Sequence, residues 1–232
     1  MALPFFYQTQ IIAASSVLLS EETSKHCIQV LRMKVGERIQ LTDGKGNAYV
    51  VAIIKSDKRH CEVIIEDTSF QSPSEKQIAI GISLLKNATR FEWFLEKATE
   101  LGVCEIIPLL CTRTERQHFR FDRMQSIVIA AMLQSQQVWL PILHQPTDVQ
   151  KVLQSSVQIQ KLIAHCQAGA KQAIGSLVVL QAVQILIGPE GDFTTAEIDE
   201  ALQKTYIPVS LGNTRLRTET AGVVAATLLV NT

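Results

Sequence analysis

Two glycine-containing loops, each directly after a short apolar run, carry the residue types best suited to hold a ligand. The first loop, residues 188–191, reads Gly-Pro-Glu-Gly. The second begins at Gly212 and continues through Arg215, Arg217 and Glu219. Glycine lets the main chain come close to a ligand, and guanidinium groups favour an anionic partner. The pattern therefore predicts a site for an anionic ligand or substrate.

The first loop is fixed at both ends by local sequence signals. A buried strand is predicted to end at Ile187, and Thr194 and Glu197 have the spacing of a capping box that opens a helix. A loop at the carboxyl end of a parallel strand lies where open α/β sheets bind ligands, and the helix that follows offers free N–H groups. An ordinary, well-built turn between strand and helix is the alternative interpretation. The residues match neither a dinucleotide-binding fingerprint nor a P-loop.

The second loop leads into a helix whose start is marked by Thr218 and Glu219, and the helix beyond them is apolar all round, which predicts that it is buried. Two arginines at the start of a buried element are costly unless they are paired. Glu219 could pair with one of them, and this structural role stands beside the ligand-binding one.

The sequence pattern changes near residue 72, which predicts an α/β protein with two domains, residues 1–71 and 72–232. The first domain is predicted to have a helix at about 21–33 and a small antiparallel sheet. In the second, short apolar strands alternate with helices, which indicates a parallel sheet covered on both faces. Its helices are predicted from a capping box at 89–92 to about 101, and over about 123–136. The predicted strands are 38–43, 48–54 and 61–67 in the first domain, and 77–85, 104–110, 161–166, 183–188 and 207–212 in the second.

Composition limits the kinds of binding partner that the sequence predicts for this protein. Lys plus Arg and Asp plus Glu both number 22, so only a local cluster of charge can favour a nucleic acid. Five cysteines without Cys-x-x-Cys spacing suggest neither a disulfide framework nor a metal site. The opening residues lack the pattern of a signal peptide, and no apolar stretch of membrane-spanning length precedes the C-terminus. We expect a reduced cytoplasmic protein with no metal and no membrane partner.

Four motifs together resemble one known family. "LIGPEGDFTTAEI" and "LGNTRLRTETA" are similar to the signature of the knotted SPOUT-class methyltransferases. "HCIQVLRMKVGE" (26–37) and "KNATRFEWFLEKATELGV" (86–103) extend the resemblance over the whole chain. More narrowly, the motifs resemble the ribosomal RNA small-subunit methyltransferase E family, which methylates N3 of a uridine in 16S ribosomal RNA.

The resemblance implies a fold and a cofactor. It implies a PUA-like β-barrel domain followed by a SPOUT domain with a trefoil knot, in a homodimer that uses S-adenosyl-L-methionine. Three loops would hold the cofactor, and Arg217 and Glu219 would be catalytic. The residues implied for cofactor binding are His165, Ile187, Gly188, Pro189, Glu190, Gly191, Leu211, Gly212, Leu216 and Thr218.

Contact with ribosomal RNA, free or in the small ribosomal subunit, is implied for basic residues in several segments. A solvated charged face is the alternative for each of them. Phe119 and Phe121, within the basic segment 113–123, could stack on an unpaired base. The residues expected to bind RNA are Lys25, Arg32, Lys86, Arg90, Arg113, Arg116 and Arg215.

Removal of the uracil N3 proton would spread negative charge onto the flanking carbonyl oxygens, and Arg217 is the predicted cation there. His165 and Glu190 are both candidates for a general base. The chain departs from the usual family pattern at Leu133, Gln137 and Thr214, which leaves roles for Gln137 and Arg215 open. The alternatives in function are a knotted methyltransferase acting on another RNA position, and an RNA-binding or ribosome-assembly module without catalysis.

Overall fold

The computed structural model describes residues 3–11, 16–115 and 118–231. Two compact units share the chain: Met1–Pro73 with Met132–Leu140, and Ser74–Ala131 with Pro141–Thr232. The sequence predicted two consecutive domains, so the inclusion of residues 132–140 in the first unit was not foreseen. Main-chain hydrogen bonds explain it, because Gly46 N donates to Val138 O and Leu140 N donates to Gly44 O, both at 2.9 Å.

The first unit is built on a five-stranded sheet with the order β1-β3-β4-β5-β2. β3, β4 and β5 form the antiparallel sheet that the turn residues predicted, and β1 joins β3 in parallel. The elements of this unit are β1 (Phe5–Tyr7), β2 (Val17–Leu18), α1 (Glu21–Lys25), a π-helix (His26–Val30), β3 (Arg38–Thr42), β4 (Asn47–Lys55) and β5 (Glu62–Phe70).

The single helix predicted over residues 21–33 is wrong in type and length. The α-helical part ends at Lys25, and a π-helix continues over His26–Val30. Its wider turn is closed by Leu31 N, which donates to His26 O at 3.0 Å. Arg32 then adopts a φ of 56°, a conformation that costs a non-glycine residue energy.

The second unit contains the α/β arrangement that the alternating pattern predicted. α3 begins in this unit, and its last residues, from Met132, belong to the first unit. Its elements are β6 (Gln77–Ser83), α2 (Ala88–Glu100), β7 (Glu105–Leu110), α3 (Phe121–Gln134), β8 (Ile142–Leu143), β9 (Thr147–Asp148), α4 (Val149–Ser155), β10 (Gln160–Ala164), β11 (Gln172–Ala173), a 3-10 helix (Ile174–Ser176), β12 (Ala182–Ile187), α5 (Thr195–Gln203), β13 (Ile207–Ser210) and α6 (Thr218–Val230).

The sheet of this unit is parallel, with the order β11-β13-β10-β12-β6-β7-β8 and with β9 paired to β7. β12 lies between β10 and β6, and its residues from Val183 to Ile187 are all buried. Burial of successive residues on one strand means that both faces of the sheet are covered. The carboxyl ends of β10, β12 and β13 consequently lie side by side at one edge.

Helix α6 packs closely against α2 and β6. A Cβ atom placed on Gly222 would lie 2.5 Å from Cε2 of Phe94 and 2.9 Å from Cδ1 of Ile82. Glycine at this position therefore gives the Phe94 ring the room to lie against the helix, which fixes the start of α6 beside the sheet edge.

One of the two predicted capping boxes is wrong. α2 begins at Ala88 with Asn87 as its N-cap, whose side chain accepts a hydrogen bond from Thr89 N. Glu92 instead binds Arg123 through two hydrogen bonds of 2.6 and 2.9 Å. Asn87 is the stronger capping residue because its side-chain oxygen reaches the first free N–H groups of the helix.

The second capping box, at the start of α5, is confirmed. Glu197 is only 4% exposed and accepts hydrogen bonds from Thr194 N, Thr194 Oγ1 and Thr112 N at 2.7, 2.9 and 2.8 Å. Burial acts to raise the pKa of this carboxyl, but the hydrogen bonds outweigh it and hold the pKa below its ordinary value of 4.5. The carboxylate thus joins the loop after β7 to the start of α5.

Glu197→Gln should lower the free energy of unfolding by about 1–3 kcal/mol at neutral pH, because buried N–H donors lose a charged acceptor. The folded-state pKa of Glu197 is lowered, so its contribution is complete above pH 4.5 and disappears as the pH falls through the folded-state value. Urea unfolding at several pH values measures both effects. Glu96→Gln, whose partly exposed side chain pairs with Lys97 on α2, is the control, with an expected change within about 0.5 kcal/mol. A difference between wild type and E197Q that does not depend on pH would contradict this assignment.

Candidate active site

A cavity of about 700 Å³ opens at the carboxyl edge of the parallel sheet. Its walls come from the loops after β10, β12 and β13, together with Arg90 of α2. The sequence predicted a ligand site at these strand ends, and the structure brings the loops together there. The residues expected to bind the cofactor that line the cavity are His165, Ile187, Gly188, Pro189, Glu190, Leu211, Gly212, Leu216 and Thr218.

Hydrogen bonds connect the loop after β12 to the loop after β10 and to the start of α6. Asp192 Oδ2 accepts from Cys166 N at 2.9 Å, and Phe193 O accepts from Gln167 Nε2 at 3.2 Å. On the other side, Thr218 Oγ1 donates to Gly188 O at 3.1 Å. The three loops therefore form one connected wall.

Backbone conformation explains two of the residue types in this wall. Gly212 has a φ of 144°, which favours glycine, and a Cβ there would meet nothing within 4 Å. Asp192 has a φ of 65°, which aspartate tolerates better than most residues. Gly188 is needed for space, because a Cβ atom would lie 3.0 Å from Cδ2 of Phe193 and 3.1 Å from its main-chain nitrogen.

Three arginines line the cavity: Arg90, Arg215 and Arg217. Glu219, whose side chain is 8% exposed, pairs with Arg90 at 3.7 Å. The pairing of Glu219 with a neighbouring arginine, which the sequence suggested as an alternative, is therefore not found. Arg217 is an exposed residue at the N-cap of α6, and within the described parts of the chain it has no ion-pair partner.

His165 and Lys171 form the part of the wall after β10. Lys171 Nζ donates to His165 O at 2.9 Å. Burial, and then the positive charge of Lys171, lower the pKa of His165, so that its imidazole is neutral at pH 7. His165 Nδ1 is buried and has no hydrogen-bond partner within the described residues. The neutral ring is therefore in the form that can accept a proton.

The residues expected to bind RNA are dispersed. Lys86 pairs with Glu115 at 2.9 Å, while Lys25 and Arg32 belong to the first unit. Arg113 Nη1 donates to Gly191 O at 2.7 Å. Arg116 lies outside the described residues. Arg90 and Arg215 line the cavity, so these two can reach a substrate held there.

Several residues of the site were not foreseen. Lys171 and Asp192 line the cavity, and the contact between Arg90 and Glu219 closes one side of it. The sequence feature that could have indicated Asp192 is its position directly after Gly191, at the end of the glycine-containing loop. No spacing in the sequence links Arg90 to Glu219, because the pair depends on the packing of α2 against α6.

No group of three or more metal-binding side chains is present in the described residues. In the same parts of the chain, no helix is long and apolar enough to cross a membrane.

Comparison with known proteins identifies the family. A model of an RNA methyltransferase domain matches residues 72–230, and one of an RNA methyltransferase PUA domain matches residues 19–66. The chain is 31% identical to ribosomal RNA small subunit methyltransferase E of Synechocystis, over 93% of this chain and 73% of that one.

Two crystal structures are similar over nearly the whole chain. A probable rRNA-methyltransferase from Porphyromonas gingivalis is 36% identical, with a TM-score of 0.90 and coverage of 97% of this chain and 95% of that one. Ribosomal RNA small subunit methyltransferase E from Neisseria gonorrhoeae, bound to S-adenosyl methionine, is 29% identical, with a TM-score of 0.86 and the same coverage, 97% and 95%. This chain belongs to the ribosomal RNA small subunit methyltransferase E family of RNA methyltransferases.

Proposed function

We propose that this protein methylates N3 of a uridine in the 16S ribosomal RNA of the small subunit, with S-adenosyl-L-methionine as the methyl donor. The observation that carries the proposal is the cavity of about 700 Å³ in which three strand-end loops meet three arginines. Two of the relatives named above are ribosomal RNA small subunit methyltransferases E, and one of these two is bound to S-adenosyl methionine.

The residues of the cavity fit that cofactor. Ile187, Leu211 and Leu216 offer apolar surface for a purine ring, and the main chain of residues 188–190 offers polar groups beside it. Glu190 and Asp192 can face the positive charges of the cofactor, and Lys171 can face its carboxylate. A trefoil knot around these loops, expected from the family, belongs to the same proposal.

When bound, the cofactor supplies an electrophilic methyl group on a sulfonium centre. The protein holds the uracil in line with that methyl, and positioning of this kind accounts for much of the rate of such transfers. Arg217 stabilises the negative charge that spreads over the uracil oxygens as N3 loses its proton. Glu219 pairs with Arg90 in the cavity wall, at 3.7 Å, and holds it there. His165 and Glu190, both in the cavity wall, are the proposed candidates for the proton acceptor.

In this proposal, basic residues in each of the two units contact RNA. Arg32, with a φ of 56°, follows the C-cap of the π-helix, and Lys25, the last residue of α1, lies seven residues before it. In the second unit, Lys86, Arg90 and Arg215 are proposed to contact RNA, the last two from the cavity wall. Cations of this type would meet phosphates and set the position of the RNA.

We also propose that the protein is a cytoplasmic homodimer. Helix α6 is mostly apolar, yet Val223 and Val224 are only half-buried and Thr227 is exposed. A second copy packed on this face would complete its burial, because an apolar helix face is stable only when it is covered.

Arg217→Ala should reduce kcat for RNA methylation about 100- to 1000-fold, because it removes one charged donor from the developing oxyanion. Binding of S-adenosyl-L-methionine should change little. Arg215→Ala, two positions away, is the matched variant and should raise KM for RNA while kcat stays near the wild-type value. Steady-state kinetics with 16S ribosomal RNA measure both. A loss of kcat in R215A but not in R217A would assign the catalytic role to Arg215 instead.

Deletion of the gene should remove one 3-methyluridine from 16S ribosomal RNA, and expression of the wild-type chain should restore it. Mass mapping of ribosomal RNA reads the base and the position together. An unchanged map, combined with no heat in calorimetry at millimolar S-adenosyl-L-methionine, would favour the RNA-binding module without catalysis. Loss of a different methyl group would favour a knotted methyltransferase with another target.

A further inference from the structure

We propose that Arg113 is a positioning residue that holds the loop of residues 188–193, here called the cofactor loop, in its ligand-binding shape. The inference rests on the proposed function, since it assigns that loop to the methyl donor. Arg113 Nη1 donates to Gly191 O at 2.7 Å and to Phe193 O at 3.4 Å. One guanidinium group thereby spans two carbonyls of the loop.

Arg113 contacts the cofactor loop but is not among the described residues that line the cavity. Pro189, Glu190 and Asp192 line the cavity, whereas Gly191 and Arg113 are absent from the lining among the described residues. A Cβ atom on Gly191 would lie 3.4 Å from Cδ and 3.6 Å from Cβ of Arg113. The stem of the arginine therefore lies beside Gly191, and any effect on the ligand passes through the main chain of the loop.

The segment that carries Arg113 is itself firmly held. Thr112 N donates to Oε1 of the buried Glu197 at 2.8 Å. Thr114 Oγ1 accepts from Cys111 N at 2.8 Å and bonds to Ser83 Oγ at 2.9 Å. Arg113 is an exposed residue, but the residues on both sides of it, Thr112 and Thr114, are anchored, so its side chain starts from a fixed position.

Arginine suits this role because its planar guanidinium has several donors in a fixed geometry, whereas lysine presents a single ammonium. Hydrogen bonds from a charged donor are stronger than neutral ones. The contact was not expected from the sequence, which instead suggested that Arg113 binds an RNA phosphate.

The two roles give different results in Arg113→Gln. If Arg113 holds the cofactor loop, the Kd for S-adenosyl-L-methionine should rise about tenfold, the loss of roughly one charged hydrogen bond. KM for the cofactor should rise in parallel while kcat at saturating cofactor stays near the wild-type value. The salt dependence of RNA binding should not change. Arg113→Lys, which keeps the charge but not the fork of donors, should give an intermediate Kd.

Isothermal titration calorimetry with S-adenosyl-L-methionine provides the Kd values, and fluorescence anisotropy with an RNA fragment provides the salt slope. Arg123→Gln is the matched control, since it removes a guanidinium that binds Glu92 on the neighbouring helix. Its Kd for the cofactor should equal that of the wild type. Thermal unfolding of each variant establishes that the compared proteins are folded, and R113K supplies a milder variant for the same comparison.

Equal Kd values for wild type and R113Q, with a salt slope smaller by about one, would overturn the inference and assign Arg113 to a phosphate. An equal increase in the Kd for S-adenosyl-L-methionine in R113Q and R123Q would also overturn it. Failure of the wild-type protein itself to bind S-adenosyl-L-methionine would overturn the proposed function as well, so the two failures are distinguishable.

Discussion

The site depends on the parallel alignment of three neighbouring strands. Because β10, β12 and β13 run in the same direction, their carboxyl ends share one edge of the sheet, and so do the loops that follow them. The cofactor loop follows β12, next to β10 in the sheet. It is hydrogen-bonded to the loop after β10 through Asp192, to the start of α6 through Thr218, and to the loop after β7 through Arg113.

Charge in this protein is organised locally. The chain carries 22 basic and 22 acidic residues, so its net charge provides no attraction for RNA. The cavity nevertheless collects Arg90, Arg215, Arg217 and Lys171 at one edge of one sheet. The ion pair between Glu219 and Arg90 matters more for the position of the two side chains than for stability. A partly buried ion pair contributes little net stability, but removal of one partner leaves an uncompensated charge.

Local signals in the sequence were sufficient to predict the two sheets and the start of α5. Apolar runs and turn residues predicted the antiparallel sheet and the parallel sheet, and the spacing of Thr194 and Glu197 predicted the start of α5. The rule that parallel strands end at a common edge placed Gly188 and Gly212 in the same cavity, as observed. These features depend on residues close together in the chain or on general rules of topology.

Features that depend on distant contacts were missed. The capping box at 89–92 was displaced because Glu92 binds Arg123, which is 31 residues away. The π-helix at His26–Val30 and the return of residues 132–140 to the first unit have no local signature. Arg113 was expected to bind RNA, and the contact with Gly191, 78 residues further along the chain, is visible only once the strands are assembled.

The central claim is that three separate loops form a single cofactor site. Hydrogen–deuterium exchange with and without saturating S-adenosyl-L-methionine tests it directly. The account predicts slower amide exchange in residues 165–167, 188–193 and 211–218 together, with no change in the turn at 44–46. Protection confined to one of the three loops, or protection elsewhere in the chain with none in these loops, would contradict it.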